Sequence, residues 1–135
     1  MTPNVLIDSD ILSMIMRRQR QAIHRAKDYL EDHPRLSLSV ITAYEVIRGL
    51  KAKGASTRLD EFVAFCRSSE VVPLTMEIVE VASDLYARLK RQGELLDHAD
   101  ILIAATAISQ GCSLATNNTK HFSRISELAI ENWLT

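Results

Sequence analysis

Four carboxylates in this chain each stand beside an apolar run. Asp8 follows Val5-Leu6-Ile7, Glu45 lies inside Ala43-Tyr44-Glu45-Val46-Ile47, and Asp97 and Asp100 precede Ile101-Leu102-Ile103-Ala104-Ala105. A carboxylate beside a buried segment is costly unless it is paired, hydrogen-bonded or bound to a cation. Several brought together would repel one another and hold protons near neutral pH, and a hard divalent cation removes that conflict. Mg²⁺ or Mn²⁺ prefers oxygen ligands, keeps several waters and takes only one or two direct carboxylates. In a metal nuclease such an ion lowers the pKa of a bound water from ~15.7 toward ~7 and neutralises the scissile phosphate, so no nucleophilic side chain is needed. The plainer alternative is four unrelated acids. Asp97 and Asp100, three apart at a helix start, suit ordinary capping, Glu45 suits an exposed helix face, and Asp8 suits a neighbouring turn.

Other chemistries find less support. His24, His33, His98 and His121 lack zinc-ligand spacing and read as surface or helix-end residues. No phosphate-binding Gly-x-x-x-x-Gly-Lys loop and no Gly-x-Ser-x-Gly elbow is present. Asp8-Ser9-Asp10 after an apolar strand resembles the nucleophile segment of haloacid-dehalogenase-like phosphatases. The threonine usual after the second Asp is missing, and the chain is short for that fold.

The elements that must position these acids follow from periodicity. Val5-Leu6-Ile7 reads as a strand buried on both faces, placing Asp8 at its carboxyl end. Ile23, Ala26, Tyr29 and Leu30 predict a helix over 20–32, stopped at His33-Pro34. Leu36 to Ser39 reads as a second strand. Val40, Ala43, Tyr44, Ile47 and Leu50 then share one face of a helix that carries Glu45 and ends near Gly54. A helix from Thr57 carries Leu59, Phe62, Val63 and Cys66, and a third strand covers Val71-Val72-Pro73. Met76, Val79, Ala82, Leu85, Tyr86 and Leu89 define a long amphipathic helix closed by Gly93. Asp97 to Gln110 is the most apolar helix, stopped by Gly111 and expected to lie deepest. Ser113 to Thr116 and Leu128 to Ile130 complete the strands, separated by a loop over 117–124 with one helical turn. Strands alternating with helices call for an α/β fold with a mainly parallel sheet of about five short strands and helices on both faces. Such sheets place their sites beyond the carboxyl ends of the strands, where Asp8 and Thr116 both fall.

Composition sets bounds. The 135 residues and 47% hydrophobic content suit one domain, 1–135, with one ordinary core. A net charge of -1 argues against a globally basic nucleic-acid coat and leaves local patches: 17–27, Arg48 to Arg58, and Arg88 to Arg91. Each such patch can equally be a solvated helix face. Cys66 and Cys112, far apart, read as buried free thiols rather than a disulfide. Met1-Thr2-Pro3-Asn4 offers no basic leader, and Ile101 to Ile108 is too short to span a membrane, so a cytoplasmic protein is expected.

The motifs Leu6-Ile7-Asp8-Ser9-Asp10-Ile11-Leu12, Glu45-Val46-Ile47-Arg48-Gly49, Asp100-Ile101-Leu102-Ile103-Ala104-Ala105 and Thr116-Asn117-Asn118-Thr119-Lys120-His121-Phe122, in that order, resemble a PIN domain of the VapC toxin family. The resemblance covers nearly the whole chain. It implies a three-layer α/β/α PIN fold, a Mg²⁺- or Mn²⁺-dependent endoribonuclease acting on structured RNA such as tRNA, a VapB-type antitoxin partner and a homodimer. Carried over residue by residue, Asp8, Glu45 and Asp100 are the metal-binding and catalytic acids. Asp97 is then an accessory acid, and Asn118 occupies a position that is often Asp, with Thr116 beside it. Asp10 falls where members vary and takes an outer role. Ser9 either hydrogen-bonds a catalytic carboxylate or caps the next helix. Leu59, Phe62, Val63, Phe65 and Cys66 exceed one core-facing stripe, and either bury in the core or meet a partner. Two other functions stay open: a phosphomonoesterase using Asp8 covalently, and a PIN-like binding module without catalysis.

Overall fold

The computed structural model describes residues 3–135, so the leader expectation at Met1 and Thr2 lies outside the described residues. Twelve elements follow one another: β1 (Val5–Ile7), α1 (Ser9–Met16), α2 (Arg20–Asp32), β2 (Ser37–Ser39), α3 (Val40–Ala52), α4 (Ser56–Arg67), β3 (Glu70–Val72), α5 (Met76–Arg91), α6 (His98–Ser109), β4 (Ser113–Ala115), α7 (Thr119–Phe122) and β5 (Ile130–Glu131). The five strands form one sheet, all pairs parallel, in the order β3-β2-β1-β4-β5. The order reverses about β1, so a crevice opens between the carboxyl ends of β1 and β4.

Alternation along β1 divides the core between two faces. Val5 and Ile7 join Ile11, Leu12, Tyr29, Leu38, Phe62 and Trp133 on one side. Leu6 joins Leu114 and the apolar positions of α5 and α6 on the other. Helices α1–α4 thus cover one face and α5–α6 the second, giving the three layers the sequence calls for. Helix α6 is apolar nearly all round, with Ile101, Ile103, Ala104, Ala105, Thr106 and Ala107 buried. Gly111 ends it at φ 67, a left-handed conformation that glycine adopts without strain.

Several expectations are corrected. Helix α1 was not foreseen, because Asp8-Ser9-Asp10 reads first as chemistry. Its apolar pairs Ile11-Leu12 and Ile15-Met16 nevertheless recur at helical spacing. Leu30, Val40, Tyr44 and Met76, assigned to core-facing stripes, are exposed. Each lies at the edge of its stripe, and smaller or better-centred residues such as Ala26, Ala43 and Ile78 fill the interior instead. Strand β3 ends before Pro73, which has no N–H for a ladder. Strand β5 starts only at Ile130, Leu128 packing into the core from the preceding loop. Cys66 and Cys112 are free but only half-buried. On α4 only Phe62 is fully buried. Among the described residues no helix is long and apolar enough to cross a membrane.

Candidate metal centre

The register of the sheet builds the centre. Ile7 of β1 pairs with Ala115 of β4, so the residues that follow, Asp8 and Thr116, leave the sheet side by side. Asp8 is 5% exposed and Thr116 is fully buried. The Asp8 carboxylate accepts from Ser9 N–H at Oδ1 (2.8 Å) and from the Thr116 hydroxyl at Oδ2 (2.8 Å). It therefore caps α1, a role the sequence offered to Ser9 as one of two alternatives. The Thr116 hydroxyl is itself fixed by Asn118 N–H at 3.0 Å.

Each remaining acid arrives on its own element. Ser39, ending β2, caps α3 through its hydroxyl on Ile41 N–H, which sets Glu45 in the second turn of that helix. Asp100 lies in the first turn of α6, where the positive end of the helix favours its charge. Asp97 occupies the N-cap position of α6, yet its side chain makes no capping hydrogen bond. Helix capping therefore does not account for Asp97. Asp10 accepts from Ile11 N–H (2.7 Å) and from Asn117 N–H (2.9 Å), tying α1 to the segment after β4.

Electrostatics joins these side chains into one group. Burial pushes the Asp8 carboxyl up to about 7, the charges of Asp10 and, less strongly, Asp100 adding to the rise, while the Thr116 and Ser9 hydrogen bonds oppose it. Burial also raises Glu45, then the charge of Asp100; Arg48 and a hydrogen bond from Ser9 pull the other way. Asp100 is raised by burial and by Asp97, and His121 opposes that rise. Asp10 is raised by burial against its backbone hydrogen bonds. Five acids from separate stretches of chain thus share one field. Ser9, Asp10 and Glu45 open onto a trough between α1 and α3 of about 280 Å³.

Among the described residues no three His, Cys, Asp or Glu side chains close on a single ion position. A hard ion that keeps most of its waters does not require that, and the donor set here is all oxygen and mutually repelling, which fits such an ion. Two residues acquire more weight than the sequence gave them. Asp10, assigned an outer role, acts on both Asp8 and Asp100. His121, read as a surface residue, stands 3.1 Å from Asn118 through Nδ1 and modulates Asp100. The three-residue interval from Asn118 to His121 was the available signal.

Thr116 holds Asp8 through its hydroxyl. We expect Thr116→Val to lower any activity that depends on Asp8 about 10- to 100-fold, the range usual for losing a hydrogen bond that orients a functional side chain. Thr116→Ser should retain most activity, because only the hydroxyl is needed. Steady-state kinetics of the two variants, with thermal melts to confirm folding, provide the check; equal loss in both would assign Thr116 to packing alone.

A parallel sheet between two helical layers, with acids gathered at its switch point, defines an α/β fold of the PIN type, and the PIN domain model matches residues 5–128. The chain is 33% identical over 127 residues to Ribonuclease VapC1 of Methanocaldococcus jannaschii, covering 94% of this chain and 85% of that one. It is 34% identical over 128 residues to Ribonuclease VapC10 of Mycobacterium tuberculosis, covering 92% and 90%. Its fold superposes with a TM-score of 0.87 on a chain of the crystal structure of DNA-bound VapBC from Salmonella typhimurium, at 25% identity over 98% of this chain and 99% of that one. The chain belongs to the PIN-domain family, in its VapC ribonuclease branch.

Proposed function

We propose that this protein is the toxin of a VapBC-type toxin–antitoxin pair, an endoribonuclease that hydrolyses RNA phosphodiesters to leave 3′-hydroxyl and 5′-phosphate ends. The observation carrying this is that Asp8, Glu45 and Asp100, from three separate elements, all have carboxyls raised by burial, with the charge of Asp100 adding to the rise of the other two. Asp8, Glu45 and Asp100 are the residues that would hold Mg²⁺ or Mn²⁺, with Asp97 and Asn118 reaching its waters. When bound, such an ion supplies an activated water and charge neutralisation at the scissile phosphate. The protein's own part is positional. Thr116 and Ser9 N–H fix the Asp8 carboxylate from both oxygens, Asp10 anchors the loop bearing Asn118, and buried α6 holds Asp97 and Asp100 on a rigid end.

Structured RNA such as tRNA is the substrate class, a VapB-type antitoxin the partner, and a homodimer the working state. The relatives' names support RNA as the substrate, and the VapBC assembly supports the antitoxin partner. Covalent phosphatase chemistry at Asp8 is less well supported. The threonine usual after the second Asp of such phosphatases is absent, and the family model that matches is that of the PIN domain.

The test is cleavage of a total tRNA and rRNA pool by the purified protein in Mg²⁺ or Mn²⁺, beside EDTA and Asp100→Asn controls. Discrete fragments lost in both controls establish a metal-dependent endoribonuclease and expose the target for end mapping. Intact RNA despite demonstrated metal binding would leave the binding-module function as the better account.

A further inference from the structure

The trough that begins at Ser9, Asp10 and Glu45 does not end there. It shares Ser13, Val46, Leu50 and Lys53 with a second cavity, of about 140 Å³, enclosed by α1, α3 and α4. The floor of that cavity is apolar, formed by Met16, Val46, Leu50 and Phe62. Its rim carries three cations, Arg17, Lys53 and Arg58, against one acid, Glu61. Along α3, Glu45 and Lys53 are eight residues apart, about 12 Å of helix. One continuous groove therefore runs from an acidic end to a basic end.

Helix energetics explains two of the cations and not the third. Arg17 and Lys53 stand at the C-caps of α1 and α3, where positive charge is favourable. Arg58 lies in the first turn of α4, a helix with no side-chain cap and no acid in that turn. A cation there opposes the helix dipole. The charged groups of all three make no ion pair or side-chain hydrogen bond among the described residues. Three unpaired cations around an apolar floor, one placed against its own helix, match a ligand that is anionic along its length and carries flat apolar groups.

We propose that this groove carries the single-stranded RNA segment leaving the cleavage centre, with Arg17, Lys53 and Arg58 on its phosphates and a base against the partly exposed Met16, Val46 and Leu50. The proposal rests on the ribonuclease function above and adds a direction to it: the strand runs along α1 and α3 from Glu45 toward Arg58. Base stacking and phosphate neutralisation are the usual division of labour for single strands.

The experiment measures binding of a labelled, mixed-sequence single-stranded RNA oligonucleotide by fluorescence anisotropy across a salt series, in EDTA and in an Asp100→Asn background. Each phosphate contact contributes about 0.7 to the slope of log affinity against log salt. The triple variant Arg17→Gln, Lys53→Gln, Arg58→Gln should flatten that slope by about 2. A control triple, Arg35→Gln, Arg67→Gln, Arg124→Gln, removes the same net charge outside the groove and the other basic patches and should leave the slope nearly unchanged. Equal slopes in the two triples would overturn the proposal. So would a groove variant that keeps the RNA slope and instead loses a co-expressed antitoxin, since the groove would then be a protein-docking site. Wild-type cleavage of the tRNA and rRNA pool in Mn²⁺ separates the two claims. Cleavage with coincident slopes sinks the groove alone, and the expected slopes without cleavage sink the ribonuclease alone.

Discussion

Asp8→Asn will silence RNA cleavage by about 10³-fold or more and, in metal-free buffer at pH 8, leave a protein more stable than the wild type. Both effects come from the same burial. The carboxyl of Asp8 rises from 3.8 to about 7 in the folded chain. A raised acid contributes stability that is complete below its unfolded pKa and is lost as pH climbs through the folded value, here across the window from 3.8 to about 7. At ~1.4 kcal/mol per pKa unit the loss is at most about 4–5 kcal/mol. Asparagine carries no charge to desolvate. It keeps an acceptor for Ser9 N–H and can donate to the Thr116 hydroxyl, so a gain of about 1–3 kcal/mol is expected after the changed hydrogen bond is counted. Urea melts at pH 8 with EDTA, alongside the RNA assay, are the check. A variant that loses both activity and stability would mean that Asp8 matters as an ionised structural cap.

The second large effect is the reversal of that pH penalty by a divalent cation. Ligands must be deprotonated to bind, so Mn²⁺ or Mg²⁺ should stabilise the wild type strongly at pH 8 and weakly at pH 5. At a concentration about 100 times Kd, mass action gives about 2.7 kcal/mol. For a chain of this size that corresponds to a rise in Tm of roughly 10 °C. Thermal melts at both pH values, with and without cation, measure it. The response should vanish in Asp8→Asn and in Asp100→Asn. A shift of equal size at both pH values, or one surviving in both variants, would place the ion elsewhere.

Much of this architecture can be read from residue pattern. The apolar runs at Val5, Leu114 and Ile101 are short, pure and bounded, so strands, buried helix and the position of Asp8 follow directly. Helix α1 is harder, because it begins one residue after β1 and its first residues are polar for reasons of site geometry. The exposure of Val40 and Tyr44 could not be read either, since a helical stripe shows which residues are apolar and not how wide the contact is. At the site, sequence spacing distinguishes capping from chemistry poorly. Asp97 stands where a cap belongs and makes no capping bond, whereas Asp8, read for its chemistry, does cap. Asp10 was undervalued because its partner, Asn117, lies 107 residues away. Only the β1–β4 register brings the two together.

That same register fixes when the enzyme can exist. The hydroxyl that orients Asp8 lies 108 residues farther along the chain. Ribosomes add ~5–20 residues per second, so several seconds separate the synthesis of Asp8 from that of Thr116. Until β4 emerges and slots beside β1, the first acid has neither its orienting partner nor its wall, and the nascent chain holds no assembled centre. A nuclease built this way is inert toward the RNA of the ribosome making it until β4 has emerged and paired with β1. Any neutralising partner already present in the cell can meet the folded protein as soon as it becomes dangerous.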